Sequence, residues 1–222
     1  MSIYEASRAA SRGAFRLSCR PRLSGLENFP ASGPVIVAPN HLSFLDSIIV
    51  SSFMPRRVSF FAKAEYFTTT GVKGAAMRTF FQGIGSIPVE RGEQAASVAA
   101  LQTALEVLDR GDVFGIYPEG TRSRDGKLYR GKTGVGWLAL TTGAPVVPVG
   151  LIGTEKLQPA DSMMVTPRRF TMKVGKPLYF DRVGPGHSLP QRREVTDRIM
   201  DAIAGLTGQE RVGRYNQRPG AE

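Results

Sequence analysis

The chain has 222 residues, 41% of them hydrophobic, with 29 Lys and Arg against 19 Asp and Glu and a formal net charge of +10. That length suits one α/β domain with a real core, and the charge calls for an anionic partner: nucleic acid, an acidic membrane surface or a phosphorylated substrate. A single cysteine, Cys19, excludes an internal disulfide, and no stretch reaches the roughly 20 apolar residues of a membrane-spanning helix.

Arg8, Arg12, Arg16 and Arg20 fall where a secretory leader needs an uninterrupted apolar run, so none is expected. Residues 1–30 read as a basic N-terminal arm. Within it, residues 1–24 suit either an amphipathic helix lying on anionic headgroups or a solvated arm packed on the domain. Pro34 to Pro39 is a nearly all-apolar run, as in a strand covered on both faces. Asn40 to Ser43 then lead into a helix carrying Leu45, Ile48, Ile49 and Phe53 that ends before Pro55. Val58 to Ala62 is the next strand, followed from Tyr66 to Gly85 by a loop with a short helix, and Ile87 to Val89 is a brief strand. Residues 94–110 form the clearest helix, with Val98, Leu101, Leu105 and Leu108 on one stripe and Gly111 as terminator. Val113 to Tyr117 is a buried strand stopped by Pro118. A short helix over Val135 to Leu140 and strands at Val146 to Ile152 and around Phe170 to Val174 come next. The last helix runs from about Leu189 to Leu206, and residues 207–222 make a polar, frayed tail. Short apolar strands alternating with helices predict an α/β fold. A single domain over 31–206 would have a largely parallel or mixed central sheet flanked by helices.

Reactive side chains concentrate at two places, both just beyond buried strands, where α/β folds put their sites. The first is Asn40-His41-Leu42-Ser43-Phe44-Leu45-Asp46. An Asp46 carboxylate folded back onto His41 would fix the imidazole tautomer and make a general base for a substrate hydroxyl. Asp46 also suits a plain cap at the helix start, where negative charge is favoured. The second is Tyr117-Pro118-Glu119-Gly120-Thr121-Arg122-Ser123, in which Gly120 permits a tight turn and Arg122 offers a planar fork for phosphate oxygens. A Glu119–Arg122 pair that staples the loop is the alternative. Arg91 directly follows a strand, a common place for a solvated charge. No Gly-x-Ser-x-Gly elbow surrounds Ser43, which argues against a serine hydrolase. His187 reads as a surface histidine in a loop. With two dispersed histidines and one cysteine, no metal site is expected.

In their order along the chain, the His41–Asp46 segment, Arg91, the Glu119–Ser123 segment and Val147-Pro148-Val149 resemble the four blocks of the glycerolipid acyltransferases. That family is typified by 1-acylglycerol-3-phosphate acyltransferases. The resemblance implies transfer of an acyl group from acyl-CoA or acyl-carrier protein to lysophosphatidic acid, giving phosphatidic acid, without cofactor or metal. The same chemistry on glycerol 3-phosphate, another lysophospholipid or a glycolipid is the near alternative. A non-catalytic anionic-lipid-binding protein is the alternative of another class. By resemblance, His41 is the base and Asp46 its orienter. Lys63, Arg91, Glu119, Gly120, Thr121 and Arg122 would hold the acceptor and its phosphate. The segment between Lys63 and Arg91 lacks the family's usual leucine-proline features. A cytoplasmic protein, peripheral on the inner face of the cell membrane and with no nucleic-acid partner, is the expected setting.

Overall fold

The computed structural model describes residues 3–217 except 72–73, 76–77, 80–82, 84, 90–93, 160–161 and 163. In chain order the elements are α1 (Ile3–Cys19), β1 (Arg22–Ser24), β2 (Val35–Pro39), α2 (Asp46–Phe53), β3 (Val58–Lys63), α3 (Glu65–Thr68), β4 (Ile87–Val89) and α4 (Gln94–Asp109). Then follow β5 (Val113–Gly115), β6 (Leu128–Tyr129), α5 (Gly134–Thr142), β7 (Val146–Ile152), β8 (Thr171–Val174), α6 (Leu189–Thr207) and β9 (Arg211–Val212).

Seven strands form one sheet in the order β1-β8-β7-β2-β5-β3-β4. The five from β7 to β4 are parallel, while β8 runs antiparallel to β7 and pairs in parallel with β1. Strand alternation explains the nearly continuous apolar runs. Val35 and Val37 of β2 enter one core beneath α1 and α2, and Ile36 and Ala38 enter the other beneath α4, α5 and α6. The α/β, mixed-sheet reading of the sequence therefore holds. Helix α6 starts as its sequence directs. Ser188 accepts from the Gln191 N–H and the Gln191 side chain returns to the Ser188 N–H, with proline in the first turn.

The N-terminal arm is a helix packed on the domain, whereas the C-terminal segment differs from expectation. Helix α1 packs on α2, and two of its arginines turn inward. Arg8 bonds the carbonyls of Met54 and Ser52, and Arg12 the Ser52 carbonyl at 2.9 Å. Those carbonyls close α2, where a helix leaves acceptors unpaired and favours positive charge. Phe15 follows them inward, 5.9 Å edge-on to Phe170. Beyond α6 the segment expected to fray instead carries β9, paired in parallel with β6. Two-residue strands have no periodicity for a sequence reading to detect.

The ladder of β2 and β5 sets up the site. They are neighbours and parallel, so the turns leaving their carboxyl ends meet above the sheet. The first carries His41 and the second Glu119 to Ser123.

Candidate active site

Asp46 is the first residue of α2 and is wholly buried. Its Oδ2 accepts from the N–H groups of Leu42 and Ser43, each at 2.7 Å, and lies 2.9 Å from His41 Nδ1. Three donors converging on one oxygen fix a tight turn that brings the imidazole back over the helix start. With Nδ1–H given to Asp46, Nε2 carries the lone pair and is the atom able to take a proton. The His41 side chain is 17% exposed, enough to meet a substrate from one side. Capping and orienting are thus one arrangement, because the carboxylate that closes the turn also holds the ring.

Below the imidazole lies Tyr117, stacked at 3.8 Å between ring centroids and 15° between planes, with Phe60 stacked 5.3 Å beneath it. The Tyr117 hydroxyl is bonded to Ser47 Oγ at 2.8 Å. Burial, then the Asp46 charge, push this phenol well above its ordinary range, so it remains protonated. Gly115 makes room for the stack, since a Cβ there would lie 2.3 Å from the Phe60 ring. Asn40 anchors the turn from the other side. Its side-chain amide donates to the Leu151 carbonyl at 2.9 Å and accepts from the Leu151 N–H at 2.7 Å, adding a rung to β7 beyond the end of β2.

The second turn clasps the first. Glu119, only 1% exposed, accepts the His41 N–H on Oε1 at 3.1 Å and the Tyr129 N–H on Oε2 at 2.9 Å. The Ser123 N–H in turn donates to the His41 carbonyl at 2.7 Å. Glu119 was expected to hold the acceptor. Instead both its oxygens hold backbone, and burial lifts its carboxyl to about 7. Nor does it staple the loop through Arg122. Gly120 turns at φ +75°, a left-handed conformation that favours glycine. Thr121 and Arg122 make no side-chain hydrogen bond or ion pair with a described residue. Lys63 ends β3, and its side chain lies outside the described residues, as does all of Arg91.

One residue here escaped the sequence reading. The Lys132 side chain crosses the Gly120 turn, so that a Cβ on Gly120 would lie 3.1 Å from Lys132 Cδ and 3.3 Å from Nζ. Its N–H donates to the Pro118 carbonyl at 2.7 Å, which fixes its root. A lysine in a Gly-Lys-Thr-Gly stretch reads as a plain turn, and only the fold carries it across Gly120. His187, expected at the surface, is buried. Arg192 Nε donates to its Nδ1 at 2.8 Å, and its Nε2 lies 3.1 Å from Thr141 Oγ1. It pins α5 to the start of α6.

The site therefore joins a carboxylate-oriented imidazole to a turn whose Arg122, with Lys132 lying across it, pairs with no described acidic residue. The sequence profile of the Acyltransferase family matches residues 20–152. The chain belongs to this family. Chloroplastic 1-acyl-sn-glycerol-3-phosphate acyltransferases of Brassica napus and Arabidopsis thaliana are 37% and 36% identical to it over 141 residues. These stretches are 63% of this chain but 39% and 38% of the relatives, so the chain spans well under half of their length. A 1-acyl-sn-glycerol-3-phosphate acyltransferase of Bacillus subtilis is 26% identical over 69% of this chain and 71% of its own. Among solved structures, the 1-acyl-sn-glycerophosphate (LPA) acyltransferase of Thermotoga maritima superposes with a TM-score of 0.68 at 26% identity. That match covers 93% of this chain and 81% of the other. The part of the chain that matches the family profile holds both turns and ends with β7, leaving β8, α6 and β9 beyond it.

Proposed function

We propose that this acyltransferase moves a fatty acyl group from a thioester, acyl-CoA or acyl-carrier protein, to the free hydroxyl of lysophosphatidic acid, giving phosphatidic acid. The observation that carries this reading is the clasp of one backbone unit, His41, by the turn that presents Arg122. His41 Nε2 takes the hydroxyl proton as the oxygen attacks the thioester carbonyl, and Asp46 stabilises the imidazolium that results. The tetrahedral adduct expels thiolate, which takes the proton back from His41 and leaves as thiol. No step calls for a metal or cofactor. Arg122 and Lys132, with Lys63 and Arg91, are the cations for the acceptor phosphate. Gly120 and Thr121 shape the turn, and positioning of this kind is a large part of catalysis.

The membrane setting is part of the same proposal. Among the described residues no helix is long and apolar enough to cross a membrane. Contact from the cytoplasmic side is supported by the edge where α1 ends. Leu17 of α1 is 85% exposed, with Arg16 and Arg20 exposed around it in sequence, and Met164, at 72%, Arg168 and Arg169 are exposed in the segment leading to β8. The Arg22 N–H bonds the Phe170 carbonyl at 3.0 Å, which brings the two segments together. Thr171 opposes Ile152 at the carboxyl end of β7, the end of the sheet that carries His41.

The test is thiol release from palmitoyl-CoA with an acceptor panel, run beside His41→Ala. Release should require lysophosphatidic acid and fall about 10²–10⁴-fold in the variant. Release without any acceptor would make the protein a thioesterase, and full activity in the variant would remove His41 from the mechanism.

A further inference from the structure

Beyond Thr207 the chain returns to the active-site end of the sheet and lies along the segment from Arg122 to Arg130. The Gln209 side chain bridges two turns. Its Oε1 accepts from Asn40 Nδ2 at 2.8 Å, and its Nε2 donates to the Gly126 carbonyl at 2.6 Å. The Leu128 N–H then donates to the Glu210 carbonyl at 2.9 Å, and the Arg130 N–H to the Arg214 carbonyl at 3.0 Å. Lys127 pairs with Glu210 at 2.9 Å, and the Arg130 guanidinium lies 5.3 Å over the Tyr215 ring. Last, Asn216 Nδ2 donates to the Arg122 carbonyl at 3.0 Å.

These contacts are not those of a loose end. Gln209 touches the residue before His41, and Asn216 touches the peptide that carries the Arg122 side chain. Between them the backbone runs as a strand beside β6. The turn is anchored at Glu119 and Ser123, while among the described residues the Arg122 carbonyl between them is held from Asn216. A side-chain amide on the arginine's carbonyl fixes the direction in which the guanidinium leaves the turn, and holding a group in one orientation is what lowers the cost of binding. The whole strap lies outside the part of the chain that matches the family profile.

We propose that residues 209–217 form a strap that sets acceptor affinity, with Asn216 and Gln209 as positioning residues for the Gly120–Arg122 turn. The proposal rests on the reading of that turn as part of the acceptor site. The strap acts through the backbone of the turn and through the Asn40 side chain and touches no reacting atom, so its loss weakens capture of the acceptor without altering capture of the thioester.

The experiment is steady-state kinetics on the full chain for Asn216→Ala, Gln209→Leu and Arg122→Ala, with the thermal midpoint of each variant measured in parallel. Asn216→Ala and Gln209→Leu should each raise the KM for lysophosphatidic acid about three- to tenfold, the size of one hydrogen bond's worth of orientation, with the KM for palmitoyl-CoA unchanged. An unchanged acceptor KM in both strap variants overturns the proposal whatever Arg122→Ala does. So does a parallel change in both KM values that follows a lowered thermal midpoint, since that describes general loosening. If the strap variants raise the acceptor KM while Arg122→Ala does not, the phosphate role of Arg122 falls and with it the positioning role proposed for the strap.

Discussion

At Glu119 burial raises the carboxyl from its ordinary 4.5 to about 7, against the two backbone N–H groups that draw it toward ionisation. A folded-state value above the unfolded one means that the folded protein binds the extra proton. This contribution to stability is complete below about pH 4.5 and is lost as pH rises through about 7. The lift corresponds to about 3 kcal/mol. We therefore expect the urea unfolding free energy to fall between about pH 5 and about pH 8, and Glu119→Gln to flatten that slope. A slope unchanged by the substitution would mean that another group sets it. The same residue marks how far the site could be read from sequence. His41 and Asp46 were legible because their contact is made within one turn, five residues apart. Glu119 bonds backbone 78 residues away, and Tyr117 and Lys132 likewise owe their places to neighbours that only the folded sheet supplies.

Helix α1 shows the same limit at the level of an element. Its basic spacing was visible, but whether an arginine faces lipid, water or protein is settled by what packs alongside. Arg8 and Arg12 close the carboxyl end of α2, and Arg16 points out. Charge-assisted bonds to helix-terminal carbonyls are worth about 1–3 kcal/mol, whereas exposed side chains on a helix surface matter by about 0.5 kcal/mol or less. Arg8→Ala and Arg12→Ala should each lower the denaturation midpoint clearly, while Arg16→Ala leaves it in place. Equal effects from all three would mean that α1 is held by its apolar side alone. Longer elements were read well, since α4 and α6 have room for a 3.6-residue period and α6 has its cap spelled out at Ser188, although Val98, placed on the apolar stripe of α4, is 64% exposed. The short strands β1, β6 and β9 have neither.

Over the whole molecule the net charge of +10 is not spread as composition alone suggests. Part of it is turned inward at α2, part frames the site, and part collects at the edge where α1 ends beside residues 164–169. Binding to phosphatidylglycerol vesicles should accordingly weaken between about 50 mM and about 500 mM salt. Arg168→Ala combined with Arg169→Ala should weaken it further, leaving thiol release from detergent-dispersed substrate intact. Vesicle binding indifferent to both salt and these residues would move the contact to another face. The fold class came through in the sequence because buried strands and amphipathic helices are written in composition, but this gathering of charge depends on the antiparallel return of β8.

The clasp on His41 has a further meaning for how the protein fails. Its N–H and its carbonyl are both held by the turn that bears Arg122, so the turn cannot open without releasing the base. Heating that opens this turn while the strap stays in place should therefore cost turnover rather than acceptor affinity alone, and a preparation inactivated in this way will show a lower maximal rate at an unaltered KM.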